Sequence, residues 1–477
     1  MSPTPPRGAT VGAIAKIASI GILPAIITYL AHIGGVAQEP AQYTALFVFL
    51  AVICTTLFFW NYRLAAAFLG VAVMIGAKVY TLQEMIGHTD LHIILFLVGM
   101  MTIVGALKDL GLFSWLILAV ISRKRMNGWI FTATLCLLSA VLASVVDEVT
   151  SIVVMLALVF QVCDALKIRS MPFVLISVMA TNVGSSATML GNPVGIFIGS
   201  EAGFSFGDFL THATPIAFLS LVATTVAVMI WYRKEIHEMS VKMAEHREAN
   251  QGLGPLFPIP YKRGLFVLLS TVVIIAFHRQ IETLLGLTDP GNQNAFLILT
   301  PLIVAGLLMI YRPHRARHYI EREVEWWTLV FFMMLFAIAG SLAATGITEN
   351  LAAKLQATVS GGAKALVPFV LFGSAIGSAF VDNIVFVAAG SPVIQALIES
   401  GGTGYETLWW ALLFGACFGG NITAIGSTAN IVALGMMEKR YHTHVLFWEW
   451  LKIGAVVGLV SCLVAWGCLY LMPLPAP

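Results

Sequence analysis

The amino-acid sequence predicts an all-α polytopic membrane protein built from two repeats of inverted topology. Three observations carry that prediction. The 477 residues are 59% hydrophobic and 10% charged, with a mean hydropathy of +0.90, whereas soluble domains carry about a quarter charged residues. One polar pattern occurs twice at a fixed spacing. Basic residues fall at alternate junctions between apolar runs, as cytoplasmic loops do. So apolar a chain is not a soluble enzyme, and a net charge of +2 makes no basic field for nucleic acid.

The first apolar run, Val11 to about Ile33, is long enough to span, and no small-residue cleavage site closes it. It reads as a retained helix with a cytoplasmic N-terminus, not as a signal peptide. Residues 1–42 form this N-terminal part, 43–232 the first repeat, 233–263 a solvated cytoplasmic linker and 264–477 the second repeat. Further spans are expected at 43–61, 63–80, 91–107, 212–232, 264–282, 294–311, 326–344 and 445–470. Two polar-interrupted spans at 172–201 and 408–435 bring the expected count to eleven. This threading puts Arg63, the linker, Arg312–Arg322 and Lys439–Arg440 inside. Leu112–Arg123 and Ile347–Ser360 then lie along the interface.

The repeat is read at a spacing of 235 residues. VVDEVTSIVV around Asp147 matches AFVDNIVFVAAG around Asp382. The same register pairs Asp90 with Glu325, Gly105 with Gly340, Gly111 with Gly346 and Ser139 with Ser374. It continues through Gly184 and Gly419, Thr188 and Thr423, and Gly191 and Gly426. Each copy holds two apolar stretches meeting at an acidic tip, a hairpin at about 128–166 and about 363–400. Arg123, Lys124, Arg125, Lys167 and Arg169 flank the first, so both its ends face the cytoplasm. The flanks of the second, TVSGGAKA and GGTGYET, are almost free of bases, so it enters from the other side. Irregular backbone at such depth is tolerated where it lines a cavity in the protein.

Transporters with inverted repeats bind near the bilayer midplane, at helices broken into halves. The sequence marks two such breaks, NVGSSATMLGNP (Asn182–Pro193) and GGNITAIGSTAN (Gly419–Asn430). Glycines there let backbone carbonyls approach an ion, and Ser, Thr and Asn add neutral oxygens. The alternative is a pair of small-residue packing kinks. The hairpin tips supply acids: Asp147 and Glu148 in one copy, Asp382 with Asn383 in the other. A carboxylate at bilayer depth costs about 2.5–3.5 kcal/mol on insertion scales, which marks such residues as functional before structural. With no Lys or Arg near tips or breaks, the set suits a cation or a proton. His88, Asp90, Lys108 and Glu325 read as span ends, and His278 with Arg279 as an ordinary helix exit. The six cysteines lie in apolar runs with no CxxC, as packing residues do. No Walker A motif is present, and no organic cofactor is expected.

FGACFGGNITAIGSTANIV (Phe414–Val432) and VDNIVFVAAGSPVI (Val381–Ile394) resemble the ArsB/NhaD group of the ion transporter superfamily. That group includes arsenite efflux pumps, NhaD sodium/proton antiporters, the melanosomal P protein and citrate carriers. The resemblance covers the chain from about Tyr43 onward. It implies the fold of the divalent-anion/sodium symporters, an elevator-type transporter that is often a homodimer in the bacterial inner membrane. It also implies substrate or ion binding at Asn182, Gly184, Ser185, Thr188 and Asn192, and at Asn421, Thr423, Ser427 and Asn430. Na⁺ would sit at Asn182, Thr188, Asn421 and Thr423. Many relatives, though not the arsenite pumps, carry Asp-Asn at both tips, whereas here Asp147 is followed by Glu148.

The expected function is proton-coupled secondary transport of a small inorganic ion across the lipid bilayer, favoured as Na⁺/H⁺ antiport. Efflux of arsenite or another small oxyanion or carboxylate is the alternative. An intramembrane aspartyl protease would need a GxGD motif, and neither Val-Val-Asp147 nor Phe-Val-Asp382 supplies one.

Overall fold

The computed structural model describes residues 7–123, 125–249, 259–287, 295–359, 362–401, 404–442 and 445–471, with side chains from Ala18 onward. Lys124, residues 250–258 of the expected linker, and the flanks of the second hairpin at 360–361 and 402–403 lie outside the described residues. Regular structure among the described residues is helical throughout. In chain order the helices begin with α1 (Arg7–Ile33), α2 (Pro40–Phe58), α3 (Arg63–Gly76), α4 (Leu82–Gly87), α5 (Leu91–Asp109) and α6 (Leu112–Ile121). The first hairpin is α7 (Gly128–Val145) and α8 (Glu148–Leu166), and the first broken span is α9 (Met171–Gly184) and α10 (Pro193–Glu201). Next come α11 (Phe206–Asp208), α12 (Thr214–Trp231), α13 (Arg233–Glu248), α14 (Lys262–Ala276), α15 (His278–Leu284), α16 (Ala295–Tyr311) and α17 (Pro313–His318). They are followed by α18 (Trp326–Ala344) and α19 (Ile347–Thr358). The second hairpin is α20 (Gly362–Phe380) and α21 (Asn383–Gly401); the second broken span is α22 (Thr407–Gly419) and α23 (Thr428–Tyr441), and α24 (Phe447–Leu471) closes the chain.

Helices thus end and restart around Asp147 and Asp382 and after Gly184 and Gly419, and local chemistry explains the ends. Asn127 Oδ1 accepts from Ile130 N at 2.8 Å and caps α7. Asn192 and Ser427 cap the second halves of the broken spans, with Pro193 opening α10.

Three expectations are corrected. Nine helices among the described residues are long and apolar enough to span, or ten with a bent pair, and four of the nine are the hairpin arms. Each arm has 18 or 19 residues, about 27 Å at 1.5 Å per residue, so the arms match the hydrocarbon thickness. The expected count of eleven spans beside two hairpins is therefore not reached among the described residues, because the part of α1 with described side chains (Ala18–Ile33), α3, α16 and the halves of the broken spans are shorter. Second, the span at 264–282 is bent by 62° between α14 and α15, and His278 at the bend is buried, not a helix exit. Third, the linker opens with a packed helix: Ile236, Met239 and Met243 of α13 are buried, and Ser240 Oγ accepts from Gly128 N at 2.9 Å. Arg63, which the threading places on the inside, is buried. Its guanidinium is buried 3.9 Å from the Trp60 ring centroid and 3.1 Å from Thr328 Oγ1.

The chain divides into two compact units. One comprises Met1–Ile94, Trp326–Ala365 and Ala388–Tyr405; the other comprises Leu95–Glu325, Leu366–Val387 and Glu406–Pro477. In the first, α2, α3 and α18 share a core that includes Val48, Val52, Leu64, Leu329 and Ile338. The second contains both hairpin tips and both breaks. At its centre every residue of α9 is buried, as is α22 from Leu408 to Gly419. Such helices are apolar all round because no side meets solvent. Close approach needs glycine at one matched position: a Cβ at Gly184 would lie 2.2 Å from Ala140 Cα, and at Gly419 2.3 Å from Ala375 O. The first half of each broken span thereby lies directly on the first arm of its own hairpin.

Candidate functional site

Where a helix breaks, its last carbonyls and the next helix's first N–H groups lose their ladder partners. Here side chains of the two breaks take up many of them. Asn182, fully buried at the end of α9, donates from Nδ2 to Asn421 Oδ1 at 3.0 Å and to Asn430 Oδ1 at 2.9 Å. Asn430 Nδ2 donates in turn to Gly420 O at 2.7 Å and Thr423 O at 2.9 Å, across its own break. Asn192 Oδ1 accepts from Gly195 N at 2.9 Å, while its Nδ2 reaches Ser185 Oγ at 2.9 Å and Cys417 Sγ at 3.2 Å. Ser185 Oγ also donates to Asn182 O at 3.0 Å. The breaks are therefore one polar knot in an apolar interior, held by four asparagines, Asn182, Asn192, Asn421 and Asn430, that link the two broken spans. Such a knot has one low-energy arrangement because each unmade bond leaves a buried polar atom unpaired.

The threonines do something different. Thr188 Oγ1 donates to Ser144 O and accepts from Leu190 N at 3.1 Å. Thr423 Oγ1 donates to Ala379 O and accepts from Ile425 N at 3.3 Å. Ser144 and Ala379 each lie three residues before a hairpin's aspartate, so each threonine latches its break to its own hairpin tip. Thus the four residues expected to share Na⁺ divide: Asn182 meets Asn421, while Thr188 and Thr423 each hold a tip. Thr188→Val and Thr423→Val keep shape and remove the latch. Each is expected to weaken apparent ion affinity by about fivefold, the roughly 1 kcal/mol of a neutral hydrogen bond, with little loss of folded protein. Unchanged affinity in both, measured by transport against ion concentration, returns these segments to packing kinks.

The tips begin helices. Asp147 caps α8, accepting from Thr150 N at 2.7 Å, and is half-buried. Asp382 is 8% exposed and stands before α21, accepting from Ile384 N at 3.3 Å and from Thr428 Oγ1 at 2.5 Å. Carboxylates are stabilised there by the unpaired N–H groups and the helix dipole. Asn383, with its amide oriented to satisfy its neighbours, donates to Ser378 Oγ and Gly426 O, both at 2.7 Å, and ties the second tip to the second break. Glu148 follows Asp147 but leaves its own repeat. It is 6% exposed, accepts from Ser427 Oγ at 3.4 Å, and lies within electrostatic reach of Asp382 as well as Asp147. Glu148 Oε2 and Asn182 Oδ1 are buried and meet no hydrogen-bond partner.

The register pairs Asp147 with Asp382, yet at the start of α23 it is Glu148 that joins Asp382. The tips are not free of bases either: Lys108, ion-paired with Glu323 at 2.6 Å, is within electrostatic reach of Asp147. Thr428, Cys417 and Trp450 join the site unannounced by the sequence reading. Trp450 Nε1 donates to Asn421 O at 3.0 Å, and Cys417 stands at the register equivalent of Asn182. That equivalence was the available signal for Cys417, and the hydroxyl beside Ser427 the one for Thr428. Beside the Cys417 thiol, the donors of the site are the carboxylate, amide and hydroxyl oxygens of Glu148, Asp382, Asn182 and Ser427, chemistry of hard cations.

Comparison with known proteins bears on this architecture. Residues 47–415 match the profile of the citrate transporter family. An uncharacterised transporter of Mycobacterium tuberculosis is 32% identical over 432 residues, which cover 87% of this chain and 97% of that protein. The human P protein is 26% identical over 486 residues; the match covers 86% of this chain and 57% of that protein. The solved structure of the YdaH transporter from Alcanivorax borkumensis, described as having an unusual topology, aligns with a TM-score of 0.53 at 15% identity, covering 81% of this chain and 86% of that one. At that identity the likeness is one of fold.

Proposed function

Since the chain belongs to the citrate transporter family and is an integral membrane transporter, we propose that it exchanges Na⁺, or another small monovalent cation, for protons. The observation that carries this reading is the pair Glu148 and Asp382. Both carboxylates are buried at the start of α23, where Glu148 accepts from Ser427 Oγ and Asp382 from Thr428 Oγ1 and Ile384 N. The charge of such a pair is expensive in a dry interior unless a cation or a proton offsets it, so the two compete for the same oxygens. Asp147 serves mainly as the cap of α8. An anionic substrate would need open helix N-termini, and those of α8, α10, α21 and α23 are already capped or flanked by Asp147, Asn192, Asp382 and Ser427.

Two features support repeats related by a two-fold axis. Gly184 and Gly419 make the same approach to residues 235 apart, as do the Thr188 and Thr423 latches. Gly105 packs against Glu323, and Gly340 against His88, the reciprocal pair in the same register. The asymmetry of basic flanks makes that relation an inversion. All site residues fall in one compact unit, which supports an elevator mechanism with that unit as the carrier. In this reading the N-terminus lies in the cytoplasm of a bacterial cell, mycobacteria being the source of similar transporters, and the protein works as a homodimer.

The test is transport by the purified protein in proteoliposomes loaded with a pH-sensitive dye. Na⁺ or Li⁺ added to the outside is expected to release protons from the lumen, whereas K⁺ of equal strength does not. Proton movement with citrate or arsenite but with neither cation overturns this reading in favour of carboxylate or oxyanion transport.

A further inference from the structure

We infer that the ion is held at one place only, on the second break, and that the first hairpin completes it by lending Glu148; this rests on the cation/proton reading above. Two equal repeats lead one to expect two equal sites. The side chains do not divide that way. In the second repeat, tip and break are bound together: Asp382 accepts from Thr428 Oγ1 at 2.5 Å, and Asn383 donates to Gly426 O at 2.7 Å. In the first repeat the equivalent acid, Asp147, caps its own helix and remains half-buried. The next residue, Glu148, crosses to Ser427, the cap of α23.

The position of the unpaired oxygens singles out the same spot. Asn182 is tied to Asn430 in the first turn of α23, and Glu148 to Ser427 just before it. Asn182 Oδ1 and Glu148 Oε2 are buried and unpaired. A buried acceptor without a donor costs about 1–3 kcal/mol, more if charged, and a cation removes that cost where a second acceptor would not. Carboxylate, amide and hydroxyl oxygens select a hard ion. Two carboxylates at one helix N-terminus leave charge for a monovalent ion beside the roughly half-unit positive end of α23. Exchange then balances: Na⁺ entering displaces one proton from the Glu148–Asp382 pair, and that proton leaves to solvent.

The experiment is binding of ²²Na⁺ to the purified full-length protein in detergent, with melting temperature read in Na⁺ against K⁺. One Na⁺ per chain is expected. Glu148→Gln should raise the half-saturating Na⁺ at least tenfold and abolish the Na⁺-dependent rise in melting temperature. Asp147→Asn keeps a good helix cap and should bind within about twofold of the parent, against a tenfold step of 1.4 kcal/mol. Should Glu148→Gln not fold, Glu148→Asp keeps the charge on a shorter arm and is expected to weaken binding several-fold. Two Na⁺ per chain, equal losses in the Asp147 and Glu148 variants, or normal binding in both Glu148 variants overturns the single-site inference while leaving cation transport standing. No Na⁺ or Li⁺ binding by the parent protein overturns the functional reading itself, and the single site with it.

Discussion

Asp382→Asn is expected to lose transport driven by a pH gradient by at least tenfold, a change of about 1.4 kcal/mol or more in the barrier, while the protein folds normally. Asparagine is as good a helix cap as aspartate. Its Oδ1 can accept from Ile384 N as the carboxylate does, and its Nδ2, in the place of the oxygen that accepts from Thr428, can donate to Thr428 Oγ1 once that hydroxyl turns. What disappears is the proton exchange and one negative charge. Removing a buried charge does not in general destabilise, because its desolvation is expensive. Glu148→Gln should show the same loss, since its oxygen is the unpaired one. Glu148→Asn restores the Asp-Asn tip of relatives, removes the carboxylate and shortens the arm, and should behave likewise. The measurement is dye-reported proton flux in proteoliposomes at matched protein content, with the melting temperature as the folding control. Full pH-driven flux in both Asp382→Asn and Glu148→Gln would make these acids structural and place coupling elsewhere.

The second large effect is all-or-none. A membrane-impermeant maleimide applied to intact cells should label Ser400→Cys and not Arg125→Cys; inverted membrane vesicles should give the opposite pattern. Both positions are exposed. Ser400 ends α21, where its hydroxyl donates to Ala396 O at 2.6 Å, a contact a thiol tolerates at a helix end. Arg125 precedes the Asn127 cap of α7. On the inverted arrangement proposed above, the bases around the first hairpin would hold it to the cytoplasmic side, and their near absence around the second would release it to the other. Labelling of both from the same side would refute inverted repeats and leave two parallel copies.

Much of this molecule is readable in one dimension because its signals are local. The hairpins, the broken spans and their caps follow from apolar run length, from Gly, Pro, Asn and Ser at the interruptions, and from acids placed where lipid would not tolerate them. Even α13 was within reach: Ile236, Met239 and Met243 recur at helical spacing inside a charged stretch, a stripe that charge alternation concealed. Span length was not, because half-helices and bent pairs such as α14 and α15 divide an apolar run at places set by their neighbours.

Apolar runs, two matched polar interruptions and three acids set among them already read as a helical membrane transporter in one dimension. Which acid meets which is settled by how the helices pack. Successive residues on a helix point about 100° apart, so Asp147, at the cap, turns back onto Thr150, whereas Glu148, one step on, faces Ser427 in the other repeat. The register aligns Asp147 with Asp382 by position in the chain; contact depends on direction in space. The same holds for Thr428, Cys417 and Trp450, whose hydroxyl, thiol and indole reach the site from helices whose packing no single segment encodes.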